Sequence, residues 1–196
     1  LRHMLTEGWA VEYSSLDEAR ATLGELELVG VKLALISKLR PDQTWKHRLV
    51  WDFLRAGVNE CVRQGERVVL PRLSDVVNDA RALAEESPEA EMALELIADI
   101  ADAFHQVPLN PEERRFALVE HEGKIYAFTV LVFGSRSAPT VWGRFAAFLG
   151  RTWSAICDPT RLRVQIYVDD PIFSLRGSRR DVAIEVTLAF LWAGVL

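Results

Sequence analysis

Two pairs of apolar runs, each followed by a long amphipathic stretch, most constrain the fold of this 196-residue chain. RRFALVEHEGKIYAFTVLVFG (114–134) is typical of a hairpin, because Gly123 between its two runs can take a positive φ. RLRVQIYVDDPIFSL (161–175) is a second hairpin with Asp-Asp at its tip. Helices are predicted after the hairpins, over 137–156 and 178–196. Strand pairs followed by helices, with no strict β-α-β alternation, predict an α+β fold.

The first half of the chain is predicted to contain a capped helix, a strand pair and a second helix. Ser15 lies three residues before Glu18, which is the pattern of a capping box. A polar loop containing Pro41 and Asp42 separates the two strands. The predicted elements are a helix over 16–28, strands over 31–39 and 46–53, a loop through Asn59 and Gly65, and a helix over 71–87 that ends before Pro88.

The segment EMALELIADIADAFHQVPL (91–109) is ambiguous. Glu, Met, Ala and Leu favour a helix, whereas Leu94, Leu96 and Ala98 alternate with other residues as they would in a strand. Periodicity alone leaves both possibilities open.

Charge and composition exclude several classes of protein. The chain has 49% apolar and 26% charged residues, which is an ordinary globular composition. Its net charge of −5 has the wrong sign for holding nucleic acid by bulk charge, so a nucleic-acid site must be a local basic patch. Basic residues cluster at one end of the first strand pair, at Lys38, Arg40, Lys46, His47 and Arg48.

Cysteine spacing and hydropathy suggest an intracellular protein, in the cytoplasm or nucleus. Cys61 and Cys157 form no metal-ligand pattern and suggest no disulfide framework. The apolar tail over 183–196 is shorter than the roughly 20 residues that a membrane-spanning helix needs. No basic and apolar leader opens the chain, so we expect neither membrane insertion nor secretion.

Three aspartates end up near predicted strand ends. An Asp-Asp pair at a hairpin tip is often only a turn, because Asp bonds its own backbone. Asp99, however, follows another strand-like run, and strands of one sheet could bring it to Asp169 and Asp170. Three converging carboxylates would repel each other, but with two Mg²⁺ ions about 4 Å apart they form a ligand set suited to phosphoryl transfer. We expect the Asp99 and Asp169 carboxylates within about 6 Å of each other.

Five motifs resemble those of reverse transcriptases, especially of eukaryotic retrotransposons, and they occur in the right order over residues 30–195. The YVDD motif resembles the catalytic hairpin of that family, and the others resemble its fingers hairpin, palm entry, first catalytic strand and substrate-binding turn. They are KLRPDQTWKHRLVWDF (38–53), ERVVLPRLSDV (66–76), DIADAFHQVPL (99–109), LVFGSRSAPTVWGRF (131–145) and YVDD (167–170).

The resemblance implies an RNA-directed DNA polymerase that joins a dNTP to a primer 3′-hydroxyl on an RNA or DNA template. Asp99, Asp169 and Asp170 would be catalytic and would bind two Mg²⁺ ions, with Mn²⁺ as a substitute. The backbone carbonyl of Ile100 would complete one metal shell. The partners would be template-primer and dNTPs.

The resemblance also assigns nucleotide-binding residues. Lys38 and Arg48 would grip the triphosphate, a role that suits an ammonium and a forked guanidinium. Backbone amides of Asp102 and Ala103 would cradle phosphates. Phe104 would be a steric gate that excludes the 2′-hydroxyl and so favours deoxynucleotides.

Further positions lie around the predicted substrate turn and the catalytic hairpin. Gly134 would let the backbone approach the nucleotide, a use for which glycine is suited. Ala138 and Pro139 would start the next helix. Tyr167 and Val168 would lie beneath the primer end and the nucleotide.

The resemblance implies one reverse transcriptase domain over 1–196. Fingers would comprise mainly 30–88 and 110–140, and palm mainly 89–109 and 141–196, with an antiparallel palm sheet backed by helices. The chain starts at Leu1 and stops in the apolar LAFLWAGVL, so it is predicted to be a fragment without the thumb. A ribonuclease H or other polyprotein domains would also lie outside it.

Two other functions stay open. One is a truncated, catalytically silent retroelement remnant with residual nucleic-acid binding. The other is an α+β interaction module whose acidic residues are turns and caps. Pro171 bears on the first alternative, because it removes an amide next to the Asp-Asp pair, which an edge strand would tolerate.

Overall fold

The computed structural model describes residues 1–24, 27–86 and 92–193. Its described elements, in chain order, are α1 Arg2–Thr6, β1 Ala10–Tyr13, α2 Leu16–Leu23, β2 Leu33–Leu39, β3 Trp45–Trp51, α3 Val58–Cys61, α4 Leu73–Glu86, β4 Met92–Ile97, 3₁₀ helices Ala103–Gln106 and Pro111–Phe116, β5 Leu118–His121, β6 Lys124–Phe128, α5 Ala138–Ile156, β7 Leu162–Tyr167, β8 Asp170–Gly177 and α6 Arg179–Ala193. The predicted helix end before Pro88 and the last three residues of the predicted final helix lie outside this range.

The chain forms two compact units. The first consists of residues 1–66 and 102–138, and the second of residues 67–101 and 139–196. Each unit has its own antiparallel three-stranded sheet, in the order β1-β6-β5 in the first unit and β4-β8-β7 in the second. Helices and antiparallel sheets together confirm the predicted α+β class.

The sheet of the first unit combines the predicted hairpin β5–β6 with a strand that the sequence did not reveal. Strand β1 pairs with β6 along its whole length, from Ala10 opposite Phe128 to Tyr13 opposite Ile125. Its partner lies more than a hundred residues away in the chain, so no local pattern indicates it. Buried side chains including Trp51 and Phe128 form the core beside this sheet.

Helix α2 begins as predicted but ends early. Ser15 is its N-cap, and the Ser15 hydroxyl accepts a hydrogen bond from the Glu18 amide at 3.2 Å. The predicted end at residue 28 is wrong, because the helix stops at Leu23. Gly24 follows with a φ of 96°, which a helix cannot contain.

Strands β2 and β3 form the predicted two-stranded hairpin. Register runs from Leu33 opposite Trp51 to Leu39 opposite Trp45. Both of its faces expose apolar side chains, among them Leu35 and Ile36. The predicted loop after it contains one additional helical turn, α3.

The ambiguous segment 91–109 contains both kinds of structure. Met92–Ile97 is strand β4 of the second unit, antiparallel to the central strand β8, and Ala103–Gln106 is a 3₁₀ helix. Long-range pairing decides the matter, because it gives the β4 backbone hydrogen-bond partners along its whole length. One face of this sheet packs on α5 and α6 through a core that includes Leu149, Trp153, Phe173 and Leu175.

Polar side chains join α4 to the other face of this sheet. Gln165 donates a hydrogen bond to Asp79 at 2.6 Å, and Arg163 forms an ion pair with Glu86 at 2.7 Å. Among the described residues, no helix has both the length and the apolarity to cross a membrane.

Candidate functional site

The Asp-Asp motif forms the tip of the β7–β8 hairpin, as predicted. Tyr167 pairs with Asp170, which leaves Val168 and Asp169 as a two-residue turn. Val168 has a φ of 61°, a left-handed conformation that is a true outlier for a β-branched residue and costs about 1–3 kcal/mol. Something must therefore hold this turn in place.

Trp142 on α5 holds the turn from within the second unit. Its side chain is 1% exposed, and its indole Nε1 donates a 2.7 Å hydrogen bond to the Val168 carbonyl. This bond fixes the peptide that follows the strained residue. Helix α5 thereby fixes the backbone between Tyr167 and Asp170.

Backbone hydrogen bonds place Asp99 directly opposite Asp170. The Ala98 amide donates to the Pro171 carbonyl at 3.0 Å, and the Ile100 amide donates to the Asp169 carbonyl at 2.9 Å. These bonds extend the β4–β8 register past Ile97, with Asp99 and Asp170 as the pair between them. Residues in such non-hydrogen-bonded pairs have Cα atoms only about 4.5 Å apart. The facing carboxylates therefore belong to Asp99 and Asp170, and the expected closeness of Asp99 to Asp169 stays a prediction.

Strand alternation puts Asp99 and Asp170 on the polar face of this sheet, whereas Asp169 lies in the turn. Tyr167 lies opposite Asp170, so Tyr167 on β7, Asp170 on β8 and Asp99, two residues beyond the end of β4, form one cross-strand row. Ala98 and Ile100, with the opposite orientation, pack on the apolar core. Tyr167 is 50% exposed, which leaves this row accessible from solvent.

Pro171 lies on the central strand of its sheet and not on an edge strand, which would tolerate it. It is fully buried, and it has no N–H to return a bond to Ala98. The ladder therefore loses one bond beside the Asp99–Asp170 pair. β4 as a regular strand ends at Ile97, immediately before this gap.

Burial raises the pKa of the Asp170 carboxyl, and the negative charges of Asp169 and Asp99 raise it further. Such repulsion is the condition that a divalent cation would relieve, and carboxylate oxygens are the ligands that Mg²⁺ prefers. Within the described ranges, no group of three or more His, Cys, Asp or Glu side chains is arranged to hold a metal ion. The chemistry of the donors thus fits a cation, and the three-carboxylate ligand set stays a prediction.

In the first unit, Lys38 and Arg48 lie on the same face of the β2–β3 hairpin. Lys38 is opposite Lys46, and Arg48 is opposite Ile36, so the two predicted triphosphate ligands are diagonal neighbours. Two lysines directly opposite each other repel, and an anion bound over this face would offset that repulsion. All three basic side chains are exposed.

Phe133 links Arg48 to the predicted gate Phe104. The Arg48 guanidinium lies 5.7 Å from the centre of the Phe133 ring, within cation–π range. The Phe104 and Phe133 rings have centroids 5.1 Å apart. The Phe133 carbonyl accepts a 2.9 Å hydrogen bond from the Trp51 amide, which ties this residue to the end of β3.

Asp102 and Ala103 lie in the turn that presents Phe104. Asp102 has a φ of 52°, and its carbonyl accepts hydrogen bonds from the amides of His105 at 2.7 Å and Gln106 at 3.2 Å. Ala103 is buried, and Phe104 is half-buried. Their predicted contacts with phosphate stay predictions.

Gly134 is required by the protein's own backbone. Its φ is 104°, and an added Cβ would lie 2.0 Å from the Trp51 carbonyl oxygen. Asn59 fixes the same loop, because its side chain donates to the Gly134 carbonyl at 2.9 Å and accepts from the Arg136 amide at 2.8 Å. Close packing on Trp51 therefore explains this glycine without a nucleotide.

Sequence reasoning missed the supporting residues Asn59, Trp142 and Phe133 as parts of the site. Trp142 carried a signal, because its helical spacing marked it as a core residue of α5, but not for its bond to the turn. Asn59 carried none, since it lies in a segment predicted only as a loop. Phe133 precedes the predicted substrate glycine, and that position was the one clue to its role.

Comparisons with solved structures give the same fold. Two prototype foamy virus protease-reverse transcriptases, a CSH mutant and the native protein, match at TM-scores of 0.59 and 0.57, with 19% and 20% sequence identity over 96% and 97% of this chain. A foamy viral protease-reverse transcriptase dRH in complex with double-stranded DNA matches at 0.57, with 17% identity over 97%. This chain spans only 20% of the mutant chain, 21% of the native chain and 28% of the chain in the DNA complex.

A search of curated proteins finds no significant match. The family model described as reverse transcriptase (RNA-dependent DNA polymerase) matches residues 46–192, which is well over half of the chain. That range contains Arg48, Phe104 and all three predicted catalytic aspartates. The chain therefore belongs to the reverse transcriptase family.

Proposed function

We propose that this chain is the fingers and palm part of an RNA-directed DNA polymerase that joins a primer 3′-hydroxyl to the α-phosphate of a dNTP and releases pyrophosphate. The observation that carries the proposal is the pairing of Asp99 with Asp170 on the polar face of a sheet, beside a strained turn that contains Asp169. Two carboxylates directly opposite each other destabilise a sheet on their own. A function that needs concentrated negative charge explains why they are there.

Asp99, Asp169 and Asp170, with the Ile100 carbonyl, would hold two Mg²⁺ ions, or Mn²⁺ in their place. When bound, the ions would lower the pKa of the primer hydroxyl and neutralise charge on the phosphates. The protein's own contribution is the rigid presentation of the carboxylates. Trp142 supplies it by holding the Val168 carbonyl.

The first unit would supply the nucleotide contacts. The exposed face with Lys38 and Arg48 suits a triphosphate, because both cations can neutralise phosphate charge. The packing of Phe104 on Phe133 gives the gate a fixed position from which to exclude a 2′-hydroxyl. The other predicted roles are proposed unchanged. The nucleotide would be approached by the backbone at Gly134, its phosphates would be bound by the amides of Asp102 and Ala103, and the primer end and nucleotide would lie over Tyr167 and Val168.

The proposed partners are template-primer and dNTPs, in an intracellular setting. One structural neighbour is a complex with double-stranded DNA. A net charge of −5 makes weak binding to nucleic acid the expectation for this part of the protein. A thumb, a ribonuclease H and other polyprotein domains would strengthen the binding of nucleic acid. A retrotransposon origin of the chain is part of the same proposal.

Primer extension on poly(rA)·oligo(dT) tests the proposal. We expect Mg²⁺-dependent incorporation of dTTP that is lost in Asp169→Asn and Asp170→Asn. Asp17→Asn is the matched control, because its side chain is 94% exposed on α2. Wild-type protein that gives no extension, alone or joined to its downstream sequence, would refute the activity.

The silent remnant is a second candidate, and one observation favours it. Pro171 removes a hydrogen bond from the central strand beside the catalytic pair. Template-primer binding without extension, by the chain joined to its downstream sequence, would support this alternative.

A further inference from the structure

His105 is the centre of an aromatic cluster in the first unit. Its ring stacks on the Trp9 indole with centroids 4.6 Å apart and an angle of 26° between the planes. It meets the Phe133 ring edge-on at 5.8 Å. The His3 ring packs on the edge of Trp9 at 5.3 Å. The N-terminal segment thus reaches the residue next to the predicted gate Phe104.

The imidazole is buried, and the part of the chain that the structure describes offers its nitrogens no hydrogen-bond partner. The His105 side chain is only 10% exposed, and neither Nδ1 nor Nε2 bonds to any described residue. An Asp102 carboxylate oxygen lies 3.7 Å from Nδ1, beyond good hydrogen-bond distance. Buried polar atoms without partners are costly, so packing alone would favour phenylalanine here.

We propose that His105 is a positioning residue: held against Trp9, it fixes the Phe133 ring, and through that ring it fixes the gate Phe104 and the phosphate-binding Arg48. The functional consequence rests on the proposed function. If Phe104 is the steric gate, the N-terminal segment that packs on His105 helps to determine ribose selectivity. Three contacts carry it. The centre of the Phe133 ring lies 5.8 Å from that of His105, 5.1 Å from that of Phe104 and 5.7 Å from the Arg48 guanidinium carbon.

Protonation would weaken this packing. Burial lowers the pKa of His105, and the Asp102 carboxylate opposes that shift. Asp102 lies at the start of the same 3₁₀ helix, while from α1 the charge of His3, when protonated, lowers the pKa of His105 further. The unfolded state binds the proton more readily than the folded state. The contribution of the neutral ring to the free energy of unfolding is therefore complete above about pH 6.5 and is lost as the pH falls below that value.

The test has two arms that can fail separately. The first arm records the ring NMR signals of Phe104 and Phe133 in protein with labelled phenylalanine. We expect both to shift in His105→Ala, and to shift in wild-type protein only on acidification well below about pH 6.5, because burial lowers the pKa at which the folded imidazole takes up its proton. His105→Phe keeps an aromatic ring and should abolish the pH-dependent shift. His121→Phe, at the exposed end of β5, should leave the pH-dependent shift unchanged.

The second arm measures the ratio of the KM values for dUTP and UTP, which differ only in the 2′-hydroxyl, so that pH effects common to both nucleotides cancel. We expect His105→Ala to reduce discrimination about 2- to 12-fold, which corresponds to the ~0.5–1.5 kcal/mol of one aromatic pair. Trp9→Ala should also reduce discrimination, and its effect on kcat should be smaller than its effect on the KM ratio. His105→Phe should keep discrimination and remove its dependence on pH.

Each outcome decides one of the two proposals. Phenylalanine signals that stay unchanged in His105→Ala and on acidification would overturn the positioning role, whatever the activity. Signals that shift in a wild-type protein that binds no nucleotide, alone or joined to its downstream sequence, would overturn the proposed function and leave the positioning of Phe133 intact. Full ribose discrimination in folded His105→Ala would refute the link to selectivity.

Discussion

Replacing Gly134 by alanine should strongly destabilise the protein. The new Cβ would lie 2.0 Å from the Trp51 carbonyl oxygen, and both are backbone-anchored atoms, so the loop or β3 must move. A non-glycine residue at a φ of 104° adds backbone strain. Strain of about 1–3 kcal/mol and overpacking of about 1–3 kcal/mol together give a loss of about 2–6 kcal/mol. That loss is a large part of the roughly 5–15 kcal/mol by which domains are stable.

Thermal and urea unfolding, followed by circular dichroism, measure this loss. We expect Tm to fall by roughly 4–24 °C, at about 2–4 °C per kcal/mol for a chain of this size. Gly143→Ala on α5 is the matched control, because its Cβ would lie 3.7 Å from Val68, an ordinary contact. Alanine is the better helix former, so this control should gain about 0.5–1 kcal/mol. A Gly134→Ala protein within about 2 °C of wild type would refute the reasoning.

Three further predictions concern the hairpin and one helix cap. Trp142→Phe leaves the Val168 carbonyl unpaired and should cost about 1–3 kcal/mol in urea unfolding; adding Val168→Gly, which relieves the positive φ, should recover part of it. Because burial and neighbouring carboxylates raise the pKa of Asp170, its destabilising effect should appear as the pH rises through that pKa, and Asp99→Asn should lower the pKa in a ¹³C NMR titration. Ser15→Ala should cost about 1 kcal/mol in thermal unfolding, by loss of the N-cap bond.

Local patterns predicted most of the second unit correctly. The hairpin at 161–175 and the helix beginning near Ala138 follow from apolar periodicity and turn residues, which act between near neighbours. The position of the Asp-Asp pair at a tip follows from the same signals. What periodicity could not decide was β4, because its partner β8 begins more than seventy residues later.

Contacts between distant parts of the chain account for the features that the sequence did not predict. Strand β1 has only four residues, and its pairing with β6 brings Trp9 near His105. No local pattern encodes such a contact. The facing of Asp99 and Asp170 likewise depends on the register between two strands, which two backbone bonds establish. The strained turn at Val168 is also held by a residue of another element, Trp142 on α5.

The most direct test of the central claim is a crystal structure of the chain grown with Mn²⁺ and template-primer, with anomalous diffraction used to locate the metal. We predict anomalous peaks within coordination distance of the Asp99 and Asp170 carboxylates, and their loss in Asp170→Asn. Fully ordered carboxylates without a metal peak beside them, at saturating Mn²⁺, would contradict the claim.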